Sequence, residues 1–184
     1  MDVVGAPAGG PGRVWLVGSM GAGKSTVGRA LAELLGVPLL DNDLELARET
    51  GRSTLALAAG GERALHQQES DQLRRAARRP GPFVAGVAAS VADRPEDLAL
   101  LRRTGTVVYL RAAPETLAAR VSRDPARPFV GEDPEPWLAV HLERRDPVYL
   151  AAAQLTVAVD GRTVRSIVAE IVAALAARPG RPER

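Results

Sequence analysis

RVWLVGSMGAGKSTVGRALAELLG, residues 13–36, decides the fold. Its first five residues are a compact apolar run that reads as a strand. A glycine-rich loop follows. Residues 24–35 read as a helix with Val27, Leu31, Leu34 and Leu35 on one broad face, and Gly36 is a natural stop. Gly18-Ser19-Met20-Gly21-Ala22-Gly23-Lys24-Ser25-Thr26 fits G-x-x-x-x-G-K-[ST] in full, with a strand entering and a helix leaving. Glycines let backbone N–H groups curl around phosphate oxygens. The helix N-terminus adds a favourable dipole and unpaired donors. Gly21, Ala22, Gly23 and Thr26 are therefore expected to cradle the phosphates of a nucleoside triphosphate. Lys24 would reach its β and γ phosphates, and Ser25 would hold magnesium. Lys24 is the single lysine of a chain with 23 arginines.

Working outward, short apolar runs alternate with helical patterns. Strands are expected at 13–17, 37–40, 83–87, 106–110 and 155–159. Helices are expected at 24–35, 43–50, 54–59, 62–78, 95–103, 114–122, 137–145 and 163–177. Five strands separated by helices imply an α/β fold, a parallel sheet covered on both faces. Residues 123–136, RDPARPFVGEDPEP, read as a charged, proline-broken loop. Residues 1–12 and 178–184 read as flexible tails around a single domain at 13–177.

Composition narrows the function. The chain has 184 residues, about one domain's worth. With 46% hydrophobic and 25% charged residues, wholesale disorder is excluded. Cysteine is absent, which removes disulfides and thiolate chemistry and agrees with a cytoplasmic location. No apolar run approaches a membrane span. The net charge of +2, with 3% aromatics and no sustained basic tract, argues against nucleic acid as a partner. A soluble monomer is expected. The two histidines, His66 and His141, cannot assemble a metal cluster, so magnesium brought with the nucleotide is the implied metal.

Asp41-Asn42-Asp43 closes the second strand, where strand ends face the ligand crevice. Asp41 is suited to steering magnesium through a water. Asp43 is suited to binding an acceptor hydroxyl and taking its proton. The pair also reads as a helix cap beside a solvated acid. No N-K-x-D guanine signature exists, and the size excludes a large motor ATPase. A compact kinase of a small acceptor remains.

From about Arg13 to Leu175 the chain resembles the shikimate kinase family of phosphate-loop kinases. The likeness is carried by GSMGAGKSTVGRALAELLGVPLLDNDLELARETGRS (18–53), TVVYLRAAPETLAARVSRDPARPFV (106–130) and ERRDPVYLAAA (143–153). It implies a three-layer sandwich with sheet order 2-3-1-4-5 and a mobile lid, here about 123–136. It also implies transfer of the γ-phosphoryl group of ATP to the 3-hydroxyl of shikimate, in aromatic amino acid biosynthesis. Lys24, Ser25, Asp41 and Asp43 take the family's roles toward ATP, magnesium and the acceptor hydroxyls. Arg127, before Pro128, matches the lid arginine that reaches the phosphates. Arg120 or Arg123 matches the arginine that packs on adenine. Arg145 matches one that clamps the shikimate carboxylate.

The departures are all on the acceptor side. The family's Phe-Arg pair is Leu65-His66 here, followed by Glu69, so His66 replaces a carboxylate-binding arginine. Loss of that grip costs on the order of 2–5 kcal/mol where the pair is desolvated. The family's triple glycine is Val87-Ala88-Ala89, which adds side chains to the wall and disfavours positive φ. Three readings follow. One is a shikimate kinase with an atypical pocket. Another is a kinase for a different polyol or cyclitol. The third is an ATP-binding regulatory protein without turnover.

Overall fold

The computed structural model describes residues 12–122 and 134–178. The tails beyond these bounds, most of the expected lid, Arg123 and Arg127 lie outside the described residues. The element order is β1 (Arg13–Val17), α1 (Lys24–Leu35), β2 (Leu39–Asp41), α2 (Asn42–Thr50), α3 (Thr54–Ala58), α4 (Glu62–Ala77) and β3 (Phe83–Gly86). A 3-10 turn (Ala89–Asp93) leads to α5 (Pro95–Thr104), β4 (Thr106–Arg111), α6 (Pro114–Val121), α7 (Pro134–Ala152), β5 (Leu155–Ala158) and α8 (Val164–Ala176).

The strands form one parallel sheet in the order β2-β3-β1-β4-β5. Alternation along each strand sends side chains to opposite faces. Val14 and Leu16 join the α1 and α8 side, with Leu31, Ile167 and Ile171. Trp15 and Val17 join the other side, with Leu73 of α4, Leu101 of α5 and Tyr149 of α7. Both faces are covered, giving the three-layer phosphate-loop sandwich. A small third cluster, Leu46, Leu57, Ala58 and Leu65, holds α2, α3 and α4 together at the end of the sheet beyond β2.

Three elements differ from the sequence expectation. The second strand is Leu39–Asp41 rather than 37–40, because Asp41 pairs with Gly86 of β3. The seventh helix runs Pro134–Ala152, taking in residues 134–136 from the expected loop and seven residues past Arg145. Prolines in a first turn have no intrahelical donor to lose. Pro147 lies inside the helix, and the helix continues past it to fully buried Tyr149. That Tyr149 donates its hydroxyl to the carbonyl of Ala89 at 2.7 Å. The 3-10 turn after β3 was not expected at all.

Gly105 links α5 to β4 and is packed against β1. A Cβ there would lie 2.5 Å from the Arg13 carbonyl oxygen and 2.7 Å from Trp15 Nε1. Its backbone is extended, so the constraint is space. Gly105→Ala is expected to lower stability by about 1–3 kcal/mol in urea denaturation. An unchanged midpoint would contradict this packing.

Candidate active site

β1 ends in the phosphate loop, between the connections that leave β1 toward β2 and β4 toward β5. Open α/β sheets place their ligand crevice at such a reversal. Gly18 and Gly21 carry φ of 145° and 81°. A Cβ on Gly18 would fall 2.6 Å from the Leu110 carbonyl oxygen at the end of β4, so only glycine fits. The loop then enters α1 at Gly23, with its first-turn N–H groups at the crevice. Lys24 Nζ donates to the carbonyls of Gly18 (2.8 Å) and Ser19 (3.0 Å). The lysine is thus held over its own loop. Arg120, from α6, donates to the Gly21 carbonyl at 3.1 Å. This places Arg120 at the nucleotide end of the cleft.

The cleft continues past the loop as one space of about 370 Å³. Ser25, Thr26, Asp41 and Asp43 line it, as do His66, Glu69, Val87 and Arg145. Residues that sequence reasoning chose for both halves thus line one space. Asp41 Oδ1 caps α2, accepting from the backbone N–H of Asp43 (3.1 Å) and Leu44 (3.4 Å). Its Oδ2 faces Gly86, 4.0 Å from where a Cβ would stand. One oxygen of Asp41 thus caps the helix while the other faces the cleft. Asp43 is oriented by Thr54, whose hydroxyl donates to its Oδ1 at 3.1 Å, and by Asn42 at 3.3 Å. Thr54 and Asn42 carried no sequence signal for this task. The Ser25 hydroxyl and Asp41 Oδ2 are hard oxygen donors on the cleft, a set that suits magnesium carried on phosphates. Among the described residues no cluster of three or more His, Cys, Asp or Glu could hold a metal by itself.

The acceptor end is built differently from the expectation for Arg145. Its guanidinium is engaged by Asp93, with Nε to Oδ1 at 3.2 Å and Nη2 to Oδ2 at 2.5 Å. Arg145 and Tyr149 sit one turn apart on α7, and both grip the segment Ala89–Asp93. His66 Nε2 lies 3.8 Å from Glu62, and burial lowers its pKa while the Glu62 carboxylate opposes the shift. Ala88 has φ −57° and ψ 146°, ordinary extended backbone that fits a side chain without strain. Glu69 is half-buried and accepts from Ser90 Oγ at 2.5 Å. Desolvation pushes its carboxyl up to about 7, and Asp43 adds to the rise. The Ser90 hydrogen bond, Lys24 and Arg145 oppose it. Trp137 also lines the cleft and stacks on His141 at 3.7 Å between centroids.

Fold and cleft together have the form of a phosphate-loop phosphotransferase. The chain belongs to the shikimate kinase family, whose model, described as "Shikimate kinase", matches residues 20–176. It is 39% identical over 158 residues to a shikimate kinase of Thioalkalivibrio sulfidiphilus, spanning 85% of this chain and 83% of that one. It is 37% identical over 171 residues to one from Halorhodospira halophila, spanning 92% and 96%. Its structure is similar to that of shikimate kinase from Acinetobacter baumannii in complex with shikimate, with a TM-score of 0.84 and 34% identity. That likeness covers 90% of this chain and 93% of the other. ATP-dependent transfer of a phosphoryl group to a small-molecule hydroxyl goes with this family. Use of ATP and magnesium is consistent with it.

Glu69 makes a stability prediction. Its folded pKa of about 7 lies above the ordinary 4.5, so the unfolded chain binds fewer protons between these values. Stability from this group is full below pH 4.5 and is lost as pH rises through 7. Glu69→Gln should remove that loss. It should be more stable than wild type at pH 8 by on the order of 1–3 kcal/mol, with a much smaller gain at pH 5. Equal differences at both pH values in urea titrations would contradict the assignment.

Proposed function

We propose that this chain transfers the γ-phosphoryl group of ATP, as its magnesium complex, to a hydroxyl of a small polyol. Kinship puts shikimate first among acceptors to try. The observation that supports the reading is the convergence of Lys24 and Asp43 in one cleft, on either side of the point where phosphate and hydroxyl would meet. The loop amides and the α1 N-terminus bind the phosphate chain. Lys24 turns from its loop carbonyls to the β and γ oxygens and neutralises charge that develops in transfer. Asp43, aimed by Thr54, holds the acceptor hydroxyl in line and takes its proton. Arg120, which donates to the Gly21 carbonyl of the phosphate loop, is a nucleotide contact in this reading, with Arg120 or Arg123 packing on adenine. Magnesium would be held by the Ser25 hydroxyl, with Asp41 nearby, and would supply neutralisation of phosphate charge. Arg127 and Arg123 belong to the lid in this reading, excluding water from the transferring group.

A second reading, an acceptor other than shikimate, is favoured by the Arg145–Asp93 pair. A regulatory protein without turnover is favoured by no contact in the cleft.

ADP formation and product mass, measured with a panel of shikimate, quinate, gluconate, sugars and cyclitols, test the proposal. Phosphorylated acceptor is expected from wild type. Lys24→Ala should reduce kcat by about 10²–10³-fold. Asp43→Asn should lower kcat by about 10²–10⁴-fold while nucleotide binding, read by Trp137 fluorescence, is retained. Nucleotide binding without phosphoryl transfer to any acceptor would overturn the kinase reading.

A further inference from the structure

A site that grips a carboxylate needs an uncommitted cation, and among the described residues this end of the cleft commits Arg145 to Asp93 and has His66 in place of an arginine. Arg145 presents the Nε–Nη2 edge of its guanidinium to Asp93, a fork-to-fork pairing that uses the strongest carboxylate geometry arginine has. The pair is neutral as a unit. An acceptor carboxylate placed against Arg145 would sit beside that of Asp93 and be repelled by it. The pairing is also structural. Arg145 and Tyr149 together fix the segment Ala89–Asp93, so moving Arg145 to a ligand would unfasten the wall of the pocket. At the second position stands His66, a ring 3.8 Å from the Glu62 carboxylate and part-buried, without the fixed charge of an arginine.

Among the described residues this end also carries three carboxylates, beside the Asn42 amide and the Thr54 hydroxyl. Asp43, Glu62 and Glu69 line the cleft together with the Ser90 hydroxyl. Val87, Ala88 and Ala89 line the same space with an isopropyl and two methyl groups. Such a surface suits a ring whose edge carries O–H or N–H donors and whose face is hydrocarbon. It penalises an anion twice, by repulsion from the carboxylates and by desolvation without a partner.

We infer that the acceptor carries no carboxylate. It is a small polyol, neutral or amine-bearing, whose donors are read by Asp43, Glu69 and Glu62 around the Arg145–Asp93 strut. This rests on the phosphotransfer reading above and names the acceptor class for the same cleft.

Three probes that differ in one group decide it. They are shikimate, the same ring triol with CH2OH in place of the carboxylate, and the triol with CH2NH3⁺ there. The full chain is assayed with magnesium and ATP for product mass and kcat/KM. Affinity for each probe is read separately by Trp137 fluorescence in the presence of ADP. One of the two carboxylate-free triols should exceed shikimate by about ten-fold or more in both readouts. The order of the hydroxymethyl and aminomethyl probes tells a neutral acceptor from an amine-bearing one. A double variant, His66→Arg with Asp93→Asn, should move the preference toward shikimate by about ten-fold or more. If that variant does not fold, the wild-type series still decides.

Equal or better use of shikimate by wild type would overturn the inference, as would failure of every probe to bind. Tighter binding of a carboxylate-free triol without phosphoryl transfer to any probe would uphold the selectivity and sink the phosphotransfer reading instead.

Discussion

The approach of Gly18 to the Leu110 carbonyl is the constraint on which the active end of the molecule depends. A side chain at Gly18 would be driven into β4, at 2.6 Å from that oxygen, and the loop would have to lift off the sheet. Gly21 is confined in the same way by the Leu117 carbonyl, 3.0 Å from its would-be Cβ. With both seated, the loop wraps between the ends of β1 and β4 and delivers Lys24 into the first turn of α1. Gly86 at the end of β3 then lies under Lys24, where a Cβ on Gly86 would stand 3.7 Å from the lysine Cβ, and pairs with Asp41 of β2. Three strand ends thus meet at one lysine. The phosphate loop and the carboxylates of Asp41 and Asp43 share a cleft because these backbones pack that closely.

The acceptor end depends on a different element. α7 leaves the α1 side of the sheet, where Leu138 packs, and ends on the opposite side, where Tyr149 packs beside Tyr109 at 4.9 Å. Along the way it presents Arg145 and Tyr149 to the turn after β3. Tyr149 is entirely buried, so its hydroxyl must find a partner, and the Ala89 carbonyl is that partner. Arg145 is nearly as buried and is charge-balanced by Asp93. A turn of alanines without glycine flexibility is held in place from outside by these two contacts. The same arginine that resembles a substrate clamp is here part of the wall.

Legibility in the sequence follows from the range of each interaction. β1, α1 and β4 were readable because an apolar run, a glycine motif and a helical face are all local signals. The convergence of Lys24, Ser25, Asp41, Asp43 and Arg120 was readable because the strand-loop-helix pattern and the family resemblance fix their relative places. β2 was displaced because its register is set by Gly86, 45 positions beyond Asp41 in the chain. α7 was underestimated because Pro147 reads locally as a stop, while burial of Tyr149 acts across the sheet. The Arg145–Asp93 pair joins residues 52 apart, and neither carries a pattern that names the other. The substitutions at His66 and Val87–Ala89 were visible at once. Their consequence for charge at the acceptor end required the geometry.

The most direct test of the account follows the phosphoryl group itself. ATP labelled with heavy oxygen on the γ-phosphorus is turned over in ordinary water, with the polyols present. Mass spectrometry then locates the label. Transfer inside one cleft, from a phosphate chain held by Lys24 to a hydroxyl held by Asp43, predicts that the label leaves in a phosphomonoester of an acceptor, matched by ADP. Label found only in inorganic phosphate, or retained in ATP, would contradict it.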